Sequence, residues 1–176
     1  MIRTVQSRRV YENDYVRVYD DEVEFPSGRR GTYYYQRWKS PHGVAILPVA
    51  GDRVLLVNNY RYADRCYSLE IPQGFGGAQE TPLDSARREL TEETGLTTDC
   101  FRLLFHTGHD YRTHVFAADL ESFDGLTPKR AEETEDIAGF RILSCGEISI
   151  GSLSAAGIFD AVTIAALLAL RDLRQP

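Results

Sequence analysis

The sequence predicts an α+β fold: a mixed β-sheet sandwiched between helices, with a small antiparallel β-domain in front. Three observations predict it. Segments rich in β-branched and aromatic residues alternate with tight turns through the first half of the chain. A capped helix follows a glycine-rich loop within residues 74–96. An apolar helix pattern closes the chain at residues 160–170. With 176 residues, 43% of them hydrophobic, the chain can form one core and a small appendage.

The elements follow in order. Residues 16–25 and 32–38 flank Pro26-Ser27-Gly28 and read as a hairpin. Its second strand carries Tyr33, Tyr34, Tyr35 and Trp38. Strand alternation puts Tyr33 and Tyr35 on one face and Tyr34 on the other, for sheet packing or for stacking against a base. Residues 44–49 and 53–57 flank the turn Ala50-Gly51-Asp52, and residues 69–72 lead into the glycine loop. Thr81 then supplies a hydroxyl N-cap, and Pro82 fills the first helical position, where no N–H is needed. Asp84 suits the positive end of the helix dipole, and Gly95 is a natural stop. Leu83, Ala86 and Leu90 recur at helical spacing and face the core. Strands follow at 100–106, 113–120 and 137–143, and Asp160 N-caps the closing helix. The division expected is a β-domain at 1–40 and a larger domain at 41–176.

Composition narrows the function. A net charge of −6 argues against general nucleic-acid binding. An acidic protein that binds an anionic ligand needs metals and local arginines; Arg29, Arg30, Arg37 and Arg61 are candidates. Cys66, Cys100 and Cys145 are widely spaced, with no C-x-x-C, which fits a reducing cytoplasm better than a disulfide framework or zinc site. His109 and His114 are candidates for substrate contact, though structural roles suit them as well. The N-terminus has no apolar signal core, and the run at 161–170 is about half a membrane span. No membrane partner is expected.

The chemistry concentrates at residues 74–96, GFGGAQETPLDSARRELTEETGL. At about 100° per residue, Glu89, Glu92 and Glu93 share a half-buried stripe beside the apolar face, with Arg88 on the flank of Glu92. An acidic helix face alone is usually just solvated. Beside an apolar face, however, like charges repel most, and a divalent cation gains most by sitting among them. The stretch also fits G-x5-E-x7-R-E-U-x-E-E-x-G-U, with U aliphatic: Gly74, Glu80, Arg88, Glu89, Leu90, Glu92, Glu93, Gly95 and Leu96 fill every fixed position. Chance would do so in far fewer than about one chain in a million. This is the Nudix box, and the chain resembles a Nudix hydrolase. The resemblance implies hydrolysis of a nucleoside diphosphate linked to another group, with Mg²⁺ or Mn²⁺. It implies Glu89, Glu92, Glu93 and the Gln73 carbonyl as metal ligands. It also implies Arg88 as the residue that orients the glutamates, and Glu80 as a brace for the loop.

Residues 58–74, NNYRYADRCYSLEIPQG, resemble the segment of ADP-ribose pyrophosphatases that ends in E-x-P-x-G, matched by Glu70, Pro72 and Gly74. Tyr60, Arg61 and Tyr62 look like that branch's aromatic–arginine strand end, where the arginine reaches substrate. Residues 10–38 resemble its extra N-terminal β-domain, and 160–170 its closing helix. The branch implies Arg61 as a substrate-binding residue, to which Glu70, Arg37 and Tyr35 are added as candidates, and a homodimer paired through the β-domain, with residues of one subunit reaching the other's site. One departure stands out. The branch commonly carries a proline about sixteen residues after the box, yet residues 97–127 contain none, and His109, Tyr111 and Arg112 occupy the region. Other nucleoside diphosphate sugars therefore join ADP-ribose as candidate substrates, with Arg112 as a further contact. The acidic run at 131–137, AEETEDI, matches the loop that carries the branch's catalytic base. Glu133 would deprotonate the attacking water and Glu135 would bind a metal, or the two would exchange roles. Two alternatives are a triphosphate-cleaving enzyme of the sanitising type, disfavoured by the β-domain, and a non-catalytic nucleotide sensor, disfavoured by the intact box.

Overall fold

The computed structural model describes residues 1–127 and 136–174. The chain divides into two compact units, Met1–Pro41 and His42–Pro176. The first is four antiparallel strands: β1 (Arg3–Gln6), β2 (Arg9–Glu12), β3 (Val16–Glu24) and β4 (Arg30–Trp38). The expected hairpin is β3–β4, paired from Val16↔Trp38 to Glu24↔Arg30 around Gly28 at φ 81°. β1 and β2 lie end to end along the other edge of β3. They escape sequence reading because each is four exposed residues with no alternating apolar face.

This small sheet is held by a polar knot as much as by apolar burial. Val23 is buried, and so is Asp21. Ser7 Oγ and the Arg8 N–H donate to Asp21 Oδ1, and the Tyr35 hydroxyl donates to Oδ2. Burial works against the Asp21 charge, but these donors outweigh it and hold the carboxyl below its ordinary value.

The second unit is a seven-stranded mixed sheet with helices on both faces. Its strands are β5 (Gly43–Ala50), β6 (Arg53–Arg61), β7 (Cys66–Glu70), β8 (Gln73–Phe75), β9 (Phe101–Thr107), β10 (Thr113–Asp119) and β11 (Ile137–Ser144). The main path runs β11-β6-β5-β10-β9. Among the described strands only β5 and β10 are parallel, paired from Gly43↔Thr113 to Val49↔Asp119. A strand in this position is covered on both faces, which is why β5 reads as a continuous apolar run and every residue in it is buried. Val44, Ile46 and Ala50 pack with Ala86 and Leu90 of α1 (Pro82–Thr94). Ala45, Leu47 and Val49 pack with Leu153 of α2 (Ile150–Ala155) and with Ala166, Leu167 and Leu170 of α3 (Ala161–Arg174).

One irregularity in the sheet positions the box. β5 and β6 pair only beside their turn, at Val49↔Val54 and Ala50↔Arg53. Farther along they separate: β7 takes the edge of β6 and β8 the edge of β5. The single strand expected at 69–72 is thus two strands broken at Ile71-Pro72, since proline has no N–H to give a ladder. The Pro72 carbonyl still accepts from Ile46 N–H at 2.8 Å. The helix α2, unexpected from its Ser- and Gly-rich sequence, is a short turn capped by Ser149 and Ser152. Asp160 caps α3 as expected, its Oδ2 accepting from Thr163 N–H at 2.7 Å. No helix among the described residues is long and apolar enough to cross a membrane.

Candidate active site

The box folds as a loop entering α1. Thr81 Oγ1 accepts from Asp84 N–H, and Pro82 begins the helix. Gly95 ends it at φ 75°, with its N–H donating to the Thr91 carbonyl. Between these caps the carboxylates lie deeper than a half-buried stripe. Glu93 is 1% exposed and Glu89 6%, whereas the Glu92 side chain keeps 34%. Two carboxylates four residues apart, both out of water, are costly unless positive charge meets them.

Arg88 supplies part of that charge. Its Nη1 donates to Glu89 Oε1 at 2.9 Å and to Glu92 Oε2 at 2.8 Å. Its Nε and Nη2 donate to the two oxygens of Glu80 at 3.1 and 3.2 Å, and Nη2 also reaches the Phe75 carbonyl. Burial opposes the guanidinium charge, but Glu80, Glu89 and Glu92 outweigh it and hold the arginine above its ordinary pKa. Glu80 in turn is lowered to about 2, first by Arg88, then by the Gly77 N–H and Ser85 Oγ. The orienting and bracing contacts expected of Arg88 and Glu80 are therefore present as geometry.

The second group sits at the β7–β8 break. Glu70, buried, faces Arg61 at the end of β6: Arg61 Nε donates to both Glu70 oxygens at 2.9 and 3.1 Å, and Nη2 also pairs with Oε2. The Arg61 pKa is raised, chiefly by Glu70, with the charge of Glu93 also felt. The Arg61 side chain remains 39% exposed. Gln73 ties Glu70 to α1, its backbone N–H donating to Glu93 Oε1 at 3.1 Å and its Nε2 to Glu70 Oε2 at 2.6 Å. Arg61, Glu70, Gln73 and Glu93 are thus linked by hydrogen bonds, and Arg88, Glu80, Glu89 and Glu92 form a second linked group on the same helix and its entry loop.

The remaining expected residues lie on other elements. Arg112 stands just before β10, where its carbonyl accepts from Gly43 N–H and its charge is felt at His114. Tyr35 and Arg37 lie on β4 of the N-terminal unit. The Tyr35 ring stacks on Tyr19 at 4.9 Å, and the Arg37 guanidinium lies 5.7 Å from the Tyr35 ring centroid. Glu133 and Glu135 lie outside the described residues. Sequence reading missed His42, which packs under the box loop. Its partners are 34 and 43 residues away, at Gly76 and Ser85, and no local spacing signals such a contact.

The donor set fits a hard divalent cation, being carboxylate oxygens and backbone carbonyls with no thiolate or imidazole among them. Gly74 fits it too. A Cβ there would collide with the Glu89 carboxylate, so the glycine lets that side chain lie against the backbone that leads into the box. Among the described residues no three Asp, Glu, His or Cys side chains converge as a ready ligand set.

Buried glutamates on a capped helix, entered through a glycine loop on a mixed sheet, define a hydrolase of the Nudix class. Residues 39–166 match the NUDIX domain, and the chain belongs to that family. Residues 2–36 match the nucleoside diphosphate sugar hydrolase N-terminal domain. The chain is 28% identical over 140 residues to the ADP-ribose pyrophosphatase of Bacillus subtilis (strain 168), covering 76% of this chain and 74% of that protein. It is 29% identical over 94 residues to the ADP compounds hydrolase NudE of Escherichia coli (strain K12), covering 53% of this chain and 48% of that protein. Its fold is similar to a crystal structure of an ADP compounds hydrolase, with a TM-score of 0.77 at 20% identity over 98% of this chain and 93% of that one.

Proposed function

We propose that this Nudix hydrolase cleaves the pyrophosphate bond of ADP-ribose or a related nucleoside diphosphate sugar, with Mg²⁺ as cofactor and Mn²⁺ as a substitute. The observation that carries the substrate class is the N-terminal unit: residues 2–36 match a domain described for nucleoside diphosphate sugar hydrolases, in front of a box with every fixed position filled. The B. subtilis and E. coli relatives are named for ADP-ribose and ADP compounds. The absence of proline from residues 97–127 supports a wider sugar range.

Glu89, Glu92, Glu93 and the Gln73 carbonyl would hold the metal, joined by Glu135. When bound, a divalent ion there supplies charge neutralisation for the diphosphate and acidifies water. Arg88 keeps Glu89 and Glu92 oriented before the ion arrives, and burial of Glu89 and Glu93 strengthens their attraction to it. Arg61, held in place by Glu70, would bind a substrate phosphate, with Arg112, Arg37 and Tyr35 as further contacts. Glu133 would take the proton of the attacking water. A new P–O bond forms to that water as the bridging P–O bond breaks. The products are a nucleoside monophosphate and a sugar phosphate; from ADP-ribose, AMP and ribose 5-phosphate. Two copies would pair through their N-terminal units.

The test is anion-exchange chromatography of products from ADP-ribose, ADP-glucose, GDP-mannose, UDP-glucose, dinucleotides and nucleoside triphosphates, each with Mg²⁺. Preference for a diphosphate sugar is expected. Preference for triphosphates would transfer the chain to the sanitising class, and tight binding with no turnover would make it a sensor.

A further inference from the structure

The box is braced from outside by a histidine that the motif does not contain. His42 precedes β5 and is 7% exposed. Its carbonyl accepts from Gly76 N–H at 2.9 Å, and its ring lies so close beneath Gly76 that a Cβ there would collide with it. Its Nε2 lies 3.1 Å from Oγ of Ser85, which is wholly buried on α1. Ser85 Oγ lies 2.8 Å from Glu80 Oε2, the oxygen that also accepts from Gly77 N–H.

Proton counting orients this chain of bonds. Glu80 is ionised at neutral pH and only accepts, so Ser85 must spend its one hydroxyl hydrogen on it. Ser85 then accepts from His42, which places a hydrogen on Nε2. Burial lowers the His42 pKa, against the pull of Glu80, so the ring is neutral and the link is a hydrogen bond rather than an ion pair. A helical serine left to itself tends to bond back to the carbonyl four residues earlier. The His42 donor instead fixes the hydroxyl toward Glu80.

We propose that His42 is a positioning residue: through Ser85 it fixes Glu80, and through Glu80 the Arg88 guanidinium that sets Glu89 and Glu92. The proposal rests on the hydrolase reading of the box, and its test separates the two. His42→Leu keeps bulk and removes the donor, whereas His42→Gln restores a neutral N–H. Ser85→Ala removes the relay at a helix position that favours alanine. Mn²⁺ affinity by electron paramagnetic resonance, hydrogen exchange of the Gly77 amide, and turnover are measured for all three and for the parent protein. His42→Leu and Ser85→Ala should each weaken Mn²⁺ binding about tenfold, within the range found for groups that support a metal's ligands. Both should speed Gly77 exchange, and His42→Gln should recover most of each loss. Equal losses in His42→Leu and His42→Gln, or an unaltered Ser85→Ala, would overturn the proposal. A parent protein without turnover would sink the hydrolase reading, while Gly77 exchange would still report on the brace.

Discussion

The helices α1 and α3 cover opposite faces of one sheet and have nearly the same length, 13 and 14 residues, yet they are buried for different reasons. α3 buries Ala166, Leu167 and Leu170, with Thr163 as its polar exception. Thr163 meets no charge: its Oγ1 accepts from Ile71 N–H at 3.0 Å. α1 buries Ser85, Glu89, Glu93 and Thr94 beside Ala86 and Leu90. Apolar area explains α3. It does not explain α1, where two carboxylates have been taken from water and are met by Arg88 and the Gln73 N–H. Stability alone would favour apolar residues at 89 and 93, so the cost marks α1 as the functional face.

That contrast can be broken most sharply at residue 93. Glu93→Gln should lower turnover by more than the ~100-fold limit found for groups that merely support a metal's ligands, with no loss of stability, because a buried charge is removed. Steady-state kinetics beside a urea melt checks both halves. The opposite result is expected on the other face. Leu167→Ala should cost about 3 kcal/mol in the urea melt and leave turnover per folded molecule unchanged, since its side chain is fully buried against the sheet.

Acid also acts on the α1 face. Glu80 ordinarily titrates at 4.5 and is held at about 2, chiefly by Arg88. A depressed carboxylate contributes stability that is present above 4.5 and lost as pH falls toward 2. The urea midpoint of the parent protein should therefore fall more steeply across that window than that of Glu80→Gln; parallel curves would remove Glu80 from the account. The smallest effect is at the helix start. Thr81→Ala should cost about 1 kcal/mol in the same melt, because the Asp84 N–H loses its cap.

Local chemistry was legible in the sequence and long-range chemistry was not. Thr81, Pro82 and Gly95 bound α1 because capping is decided by neighbours along the chain. Glu89, Glu92 and Glu93 share a face because helical geometry requires it. Their depth was underestimated, since β5 and β8 press on α1 from segments that periodicity cannot place. The Arg61–Glu70 pair spans the β6–β7 hairpin, and Gln73 ties it to Glu93 only because Pro72 breaks the strand. His42 carries no local signal at all. Its role emerges when β5 brings it beneath Gly76 and beside Ser85.

On the reading proposed above, the buried carboxylates of α1 hold a divalent ion. Titration of Mn²⁺ into the parent protein and Glu93→Gln, followed by electron paramagnetic resonance, tests it without any substrate. The parent protein should deplete the free-ion signal, and Glu93→Gln, folded to the same extent, should do so far more weakly. Indistinguishable titrations, or a parent protein that leaves the free-ion signal untouched, would contradict it.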